Sequence, residues 1–163
     1  RKTVAEKLIQ ATKVLPKNTC FKIYEAYRSL DKQKELWNNE IKKLDNLNIS
    51  EEEKKLIVQK KIANPFGKNV GGHQTGAAID ITLCDENGND YNMGTNYLEF
   101  NDKTKSFSKE IDNKTKKNRK LLFSILKKSG FNNYPLEWWH FSYGDQMWAA
   151  YKSRKKCFYG VVK

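Results

Sequence analysis

Gly71-Gly72-His73-Gln74-Thr75-Gly76-Ala77-Ala78-Ile79-Asp80 is the stretch that decides the fold, because a glycine-rich loop runs directly into a strand. From Ala77 to Leu83 the residues alternate, which predicts a strand with Ile79, Ile81 and Leu83 facing the core. The opposite face carries Asp80 between small neighbours. Gly76 permits a sharp reversal, so we expect His73 to fold back over the strand next to Asp80.

The chain has only 2 histidines, and the second, His140, lies in the cluster Glu137-Trp138-Trp139-His140-Phe141. Two imidazoles and one carboxylate give the three protein ligands of a catalytic zinc site, which leaves one position open for water. Glu137 would supply the base that such a water needs. In a regular strand Glu137 and His140 would diverge, so we expect a bend at Trp138-Trp139. The two tryptophans are interpreted as core or pocket wall, where they would exclude water from the site.

The rest of the chain predicts an α+β protein, with residues 1–163 as a single zinc metallopeptidase domain. Alternation over Cys20–Tyr27 predicts a second strand that delivers Arg28 at its carboxyl end, and residues 84–109 read as a long irregular segment. The tail, Cys157–Val162, is predicted as a short edge strand. Helical spacing and capping signals predict four helices, over residues 3–15, 30–47, 50–62 and 113–129.

Composition narrows the function class only slightly. The formal charge is +12, but the lysines lack interleaved aromatic residues, so we expect a solvated surface and no nucleic-acid partner. Cys20, Cys84 and Cys157 are odd in number and far apart, which favours free buried thiols, with a single bridge left open. No run of eighteen apolar residues exists, so no transmembrane segment is expected. A removed N-terminal leader stays possible, because the sequence begins at Arg1.

The two clusters resemble the motifs of a known family, the zinc D-alanyl-D-alanine dipeptidases associated with vancomycin resistance and wall-dipeptide scavenging. The family motif S-x-H-x-x-G-x-A-x-D is similar to Gly71–Asp80, and its E-x-x-H motif is similar to Glu137–His140. The resemblance runs from about Tyr24 to Trp148. It also includes Met93-Gly94-Thr95, Asn118-Arg119, Gly130-Phe131, Asn133-Tyr134-Pro135 and Tyr143-Gly144-Asp145.

The resemblance implies one Zn²⁺ per chain bound by His73, Asp80 and His140. It further implies that Glu137 acts first as general base and then as general acid, and that Arg28 stabilises the tetrahedral intermediate. The implied fold is a small, mainly antiparallel sheet flanked by helices, with zinc in a cleft on one face. The residues expected at the substrate are Gly71, Glu99, Tyr27, Trp138 and Trp139.

Two departures from the family bear on the substrate. Gly71 replaces the serine that opens the first motif. Leu98 replaces an aspartate that, in the dipeptidases, holds the free ammonium of the substrate, and Glu99 lies one residue further on. Without that carboxylate, longer N-blocked peptides would be accepted.

The leading expectation is therefore hydrolysis of D-alanyl-D-alanine or a closely related peptidoglycan-derived peptide, so that the partner is a small peptide with D-amino acids. One alternative is a D,D- or L,D-carboxypeptidase that trims longer stem peptides. Another is a zinc-stabilised wall-binding domain without activity. A cytoplasmic location suits cleavage of the free dipeptide, and the cell envelope or periplasm suits stem trimming after removal of a leader.

Overall fold

The structure is a computed structural model that describes residues 1–67 and 71–162. Its strands are β1 (Thr19–Glu25), β2 (Ala78–Asp85), β3 (Asn132–Asn133) and β4 (His140–Ser142). They form an antiparallel sheet in the order β1-β2-β4-β3, which carries the candidate site. Its α-helices are α1 (Lys2–Thr12), α2 (Leu30–Lys42), α3 (Glu51–Val58), α4 (Asn113–Lys128) and α5 (Gln146–Tyr151).

The strand predicted after the first glycine cluster is confirmed as β2, and it lies in the interior of the sheet. β2 pairs with β1 on one side and with β4 on the other. Ile79, Ile81 and Leu83 are buried as predicted, and the opposite face is buried as well, with Asp80 only 2% exposed. A carboxylate at such a position must have polar or charged partners, because desolvating an unpaired charge is very costly.

The helices begin and end through local signals that the sequence contains. Ser50 and Glu53 form the predicted capping box of α3. Asp112 caps α4 by accepting a hydrogen bond from the Thr115 N–H, and Gly130 follows the helix in the left-handed region at φ +95°. Three helices end earlier than predicted: α1 at Thr12, α2 at Lys42 and α3 at Val58, each followed by turns.

The tail prediction is wrong, because residues 157–162 form no strand. Phe158 N and Tyr159 N both donate to the Gly144 carbonyl, and Val162 N donates to the Gln74 carbonyl. The aromatic rings of this segment pack on the domain, since Phe158 contacts Trp148 with ring centroids 5.0 Å apart. Side-chain packing and single hydrogen bonds, not strand pairing, therefore hold this end of the chain.

The structure also bears on the cysteines and on membrane-spanning segments. The cysteines are free, but only Cys84 is buried, whereas Cys20 is exposed. Over residues 1–67 and 71–162, no helix combines the length and the apolar character that a membrane crossing requires.

Candidate metal centre

Pairing within the sheet brings the histidine and aspartate of the two clusters together. Asp80 on β2 lies directly opposite His140 on β4 and opposite Glu25 on β1. Directly opposed side chains in an antiparallel pair have Cβ atoms about 4.5–5.5 Å apart, so polar groups there can meet. The third donor, His73, lies in a 3₁₀ turn, Gly72–Thr75, that ends at Gly76 with φ +65°. The reversal predicted at Gly76 is present and directs His73 toward Asp80.

The three donor atoms converge around one carboxylate oxygen. Asp80 Oδ1 lies 3.3 Å from His73 Nε2 and 3.0 Å from His140 Nδ1. All three donor atoms lie within 4.8 Å of one another. Ligands held about 2.0–2.1 Å from a tetrahedral zinc are roughly 3.3 Å apart, which matches both short distances. The spacing therefore fits a zinc ion bound by these three residues.

The hydrogen bond of the His73 ring gives an independent test of that fit. His73 Nδ1 lies 2.7 Å from the carbonyl of Ala26, which can only accept, so Nδ1 must carry the proton. In the neutral ring Nε2 is then unprotonated, and it faces Asp80 Oδ1. Two electron-rich atoms at that distance repel each other unless a metal ion or a second ring proton lies between them. A backbone carbonyl on the far nitrogen is also the usual arrangement for a histidine that binds a metal.

Glu137 reaches the same centre through the bend predicted at Trp138-Trp139. His140 N donates to the Glu137 carbonyl at 3.3 Å, which closes a turn through the two tryptophans. As a result, Glu137 Oε2 lies 3.9 Å from His140 Nδ1. Burial, together with the negative charge of Asp80, raises the pKa of Glu137 above its ordinary value, which makes the carboxylate a stronger base.

The side chain of Asn133 fixes this turn from the neighbouring strand. Its Nδ2 donates to the carbonyl of Glu137 at 2.9 Å and to the carbonyl of His140 at 3.0 Å. Sequence reasoning did not assign Asn133 a role. Its place in the Asn133-Tyr134-Pro135 motif was the only feature of the sequence that could have indicated a role at the site.

Arg28 lines the same cleft as the metal donors, but it is already paired. Its guanidinium binds both carboxylate oxygens of Glu25, and Nη1 donates to Gln33 Oε1 at 2.8 Å. The Arg28 N–H also donates to the carbonyl of His73 at 3.3 Å, which ties the arginine to the turn of that ligand. Sequence reasoning missed Glu25 and Gln33. Glu25 lies opposite Asp80 because the β1–β2 register shifts between Ile23 and Glu25, which regular alternation does not predict.

The cleft has a volume of 820 Å³ and brings together only part of the predicted substrate-binding set. Gly71 and Trp139 line it, whereas Tyr27, Trp138 and Glu99 are outside its lining. The Glu99 carboxylate accepts hydrogen bonds from the backbone of Asn96 and the side chain of Asn101 instead. Leu98 does line the cleft, with 52% of its surface exposed.

Part of this chain is similar in sequence to curated D-alanyl-D-alanine dipeptidases. A D-alanyl-D-alanine dipeptidase of Synechocystis sp. is 36% identical over 108 residues, which cover 56% of this chain and 44% of that protein. The D-alanyl-D-alanine dipeptidase of Escherichia coli is 38% identical over 69 residues, covering 42% and 36% respectively. The one of Enterococcus faecalis is 31% identical over 86 residues, covering 52% and 43%. The chain thus spans less than half the length of the curated relatives that it matches.

Solved structures share the fold at low sequence identity. The vancomycin-resistance D,D-pentapeptidase VanY from the VanB-type cassette, in complex with Zn(II), aligns over 96% of this chain and 78% of its own. The TM-score is 0.53 at 16% identity. VanYB in complex with D-alanine-D-alanine aligns over 94% and 76%, with a TM-score of 0.55 and again 16% identity. The expected α+β fold is therefore confirmed.

A sequence model of a protein family extends the match to nearly the entire chain. This family model, described as D-ala-D-ala dipeptidase, matches residues 1–160. The chain belongs to the D-ala-D-ala dipeptidase family.

Proposed function

We propose that this protein is a zinc-dependent peptidase that hydrolyses D-alanyl-D-alanine or a closely related peptide derived from peptidoglycan. The convergence of His73, Asp80 and His140, with Glu137 beside them, is the observation that carries the proposal. Family membership and the dipeptidase relatives support the same reaction. VanYB, which shares the fold, is described in complex with D-alanine-D-alanine.

Each residue of the centre has a chemical role in such a reaction. When bound, zinc would polarise the scissile carbonyl and lower the pKa of water to about 7. Glu137 would accept the proton of the attacking water and pass it to the leaving amine. Arg28 stays charged at any working pH, so it would be a fixed cation for the developing oxyanion. Its pairing with Glu25 and Gln33 holds the guanidinium in place before substrate arrives.

The second candidate is a carboxypeptidase that trims longer stem peptides, and the charges lining the cleft favour it. Leu98, not a carboxylate, is exposed there. Among the described lining residues, the one acid outside the Asp80, Glu137 and Glu25 group is Glu40, which is paired with Lys43. Lining lysines include Lys60 and Lys61. A substrate with a free ammonium group thus has no unpaired carboxylate to bind among the described lining residues, apart from the catalytic ones. An N-blocked peptide has no ammonium group and needs no such carboxylate.

The first experiment tests Glu137 as the base. Glu137→Gln keeps the size of the side chain and removes its basicity, so turnover of D-Ala-D-Ala should be lost while zinc content stays near one per chain. Glu99→Gln is the matched control, because Glu99 lies outside the cleft lining. Persistent turnover in Glu137→Gln would refute the assignment of the base. A wild-type protein that binds zinc but cleaves no peptide would favour the zinc-stabilised wall-binding domain.

A substrate panel separates the two enzymatic candidates. The purified chain is assayed against D-Ala-D-Ala, N-acetyl-D-Ala-D-Ala, L-Ala-D-Glu and a pentapeptide stem, with zinc and with a chelator. The free dipeptide is the expected substrate of a dipeptidase. Faster cleavage of the pentapeptide and of the acetylated peptide would identify a carboxypeptidase. The cytoplasmic and envelope locations remain predictions that follow from these two outcomes.

A further inference from the structure

Tyr97 contacts the metal centre from the irregular segment between β2 and α4, and no role has yet been assigned to it. Its hydroxyl oxygen lies 2.8 Å from Asp80 Oδ2 and 3.4 Å from Glu25 Oε2. A phenol has one proton to donate, and the shorter distance assigns that proton to Asp80. A phenol is protonated at neutral pH, so the hydroxyl is available as a donor to the carboxylate.

Aromatic packing holds the Tyr97 ring in this position. It stacks on Tyr24 of β1, with ring centroids 4.4 Å apart and an angle of 15° between the planes. On another side it meets the edge of Trp139, with centroids 5.5 Å apart and planes at 81°. A ring confined by one stacked and one perpendicular neighbour has little freedom to rotate, so its hydroxyl meets Asp80 without a large loss of entropy.

The two oxygens of Asp80 are therefore divided between two tasks. Oδ1 faces both imidazoles, and Oδ2 accepts the hydrogen bond from Tyr97. Rotation of the carboxylate would break the contact with Tyr97 and turn Oδ1 away from the histidines. Hydrogen bonds of this kind to a metal-binding carboxylate orient it, and their loss typically weakens metal affinity by about 10–100-fold.

We propose that Tyr97 is a positioning residue that holds the Asp80 carboxylate in its metal-binding orientation and couples metal binding to the placement of residues 92–101. This segment includes Leu98, the residue that follows Tyr97 and lines the cleft. Coupling between two events is reciprocal. If the ordered segment strengthens metal binding through Tyr97, metal binding stabilises the ordered segment by the same free energy. The proposal rests on the metal site of the proposed function, but not on the identity of its substrate.

Tyr97→Phe tests the proposal, with Tyr24→Phe as the matched control. Both changes remove one hydroxyl from the same stacked pair, but the Tyr24 hydroxyl donates to Asp90 at 2.6 Å, away from the metal donors. Zinc affinity of the full chain is measured by competition with a chromophoric chelator, and circular dichroism checks the fold. Tyr97→Phe should weaken zinc binding by about 10–100-fold, and Tyr24→Phe should remain close to wild type. Equal affinities in the two variants would overturn the proposal.

Hydrogen exchange on the wild-type chain gives a readout that survives if Tyr97→Phe fails to fold. Zinc should slow amide exchange over residues 92–101 in the wild type, and Tyr97→Phe should lose that protection. Zinc binding without any protection of these residues in the wild type would refute the coupling. A wild-type chain that binds no zinc would instead refute the metal site and with it the proposed function, so the two failures are distinguishable.

Discussion

Arg119 offers the most demanding test of how the fold supports the site. This α4 residue is 2% exposed, and its guanidinium donates only to backbone carbonyls of the irregular segment. It bonds Met93 O at 2.9 Å, Lys103 O at 2.7 Å and Lys105 O at 2.6 Å. Burial lowers its pKa to about 10, so it remains charged at neutral pH. One side chain thus fastens the segment that carries Tyr97 and Leu98 to α4.

The cost of removing this anchor follows from the number of carbonyls that it satisfies. Arg119→Met keeps much of the apolar stem and removes every donor. Hydrogen bonds to a charged group contribute roughly 1.5–3 kcal/mol each, so the bonds to these three carbonyls total about 5–9 kcal/mol, without counting the longer bond to Ser106 O at 3.4 Å. Against this, the variant no longer desolvates a guanidinium, which costs several kcal/mol. A net destabilisation of about 2–4 kcal/mol remains, which lowers the melting temperature by roughly 5–15 °C in a domain of this size.

Urea and thermal unfolding of the metal-free chain measure the effect, with Lys117→Met as control. Lys117 lies on the same helix but is exposed, so its replacement should leave stability almost unchanged. Arg119→Lys separates charge from geometry, because an ammonium cannot reach three separate carbonyls as a planar guanidinium does. It should recover only part of the loss. Wild-type stability in Arg119→Met would refute the view that this arginine holds the segment in place.

Two further predictions concern the turn before β2 and the cap of α4. In Gly72→Ala the new Cβ would lie 2.5 Å from Asp145 Oδ2 and 2.9 Å from the Cβ of Ala78 on β2, so the turn must move away from the strand. Zinc affinity and melting temperature should both fall. Gly160→Ala, which has open space around it, should be neutral. Asp112 caps α4, and its hydrogen bonds from Thr115 lower its pKa below the ordinary value of 3.8. The resulting stability is present above that pH and is lost as pH falls through the lower folded pKa. The stability gap between wild type and Asp112→Ala, followed by thermal unfolding, should therefore shrink below about pH 3.8.

The metal donors could be predicted from sequence because local patterns determine where they lie. His73 and Asp80 are close along the chain, and Gly76 marks the reversal between them. Glu137 and His140 needed only one inference, that the tryptophans between them form a bend. In each case the local backbone conformation follows from a few neighbouring residues, although the two clusters meet only through the pairing of β2 with β4.

Residues whose roles depend on distant contacts could not be assigned in the same way. Glu25 meets Asp80 only through the register between β1 and β2, and that register includes an irregularity between Ile23 and Glu25. Tyr97 reaches Asp80 from an irregular segment without periodicity. Arg119 reads as one more cation on a basic helix until its carbonyl partners are known.

Short elements were missed for a related reason. β4 spans only His140–Ser142, and it persists because β2 and β3 pair with it on both sides. α5 spans only Gln146–Tyr151 and begins at Asp145, whose side chain accepts a hydrogen bond from the Trp148 N–H. Neither element is long enough to display a period of its own. Tertiary packing, not local preference, determines both.

The carboxylates around the metal centre lie close together and need positive charge beside them. Glu25, Asp80 and Glu137 line the cleft with Arg28 as the adjacent cation, and both imidazoles carry no charge when they act as ligands. Among these four residues, three carboxylates and one guanidinium leave a net charge of −2, apart from the lining lysines such as Lys60 and Lys61. A divalent cation on His73, Asp80 and His140 balances that excess, whereas a monovalent one does not. Electrostatic balance and donor geometry therefore favour the same ligand, although they depend on different residues: Glu25 and Glu137 contribute to the charge, and neither belongs to the ligand triad.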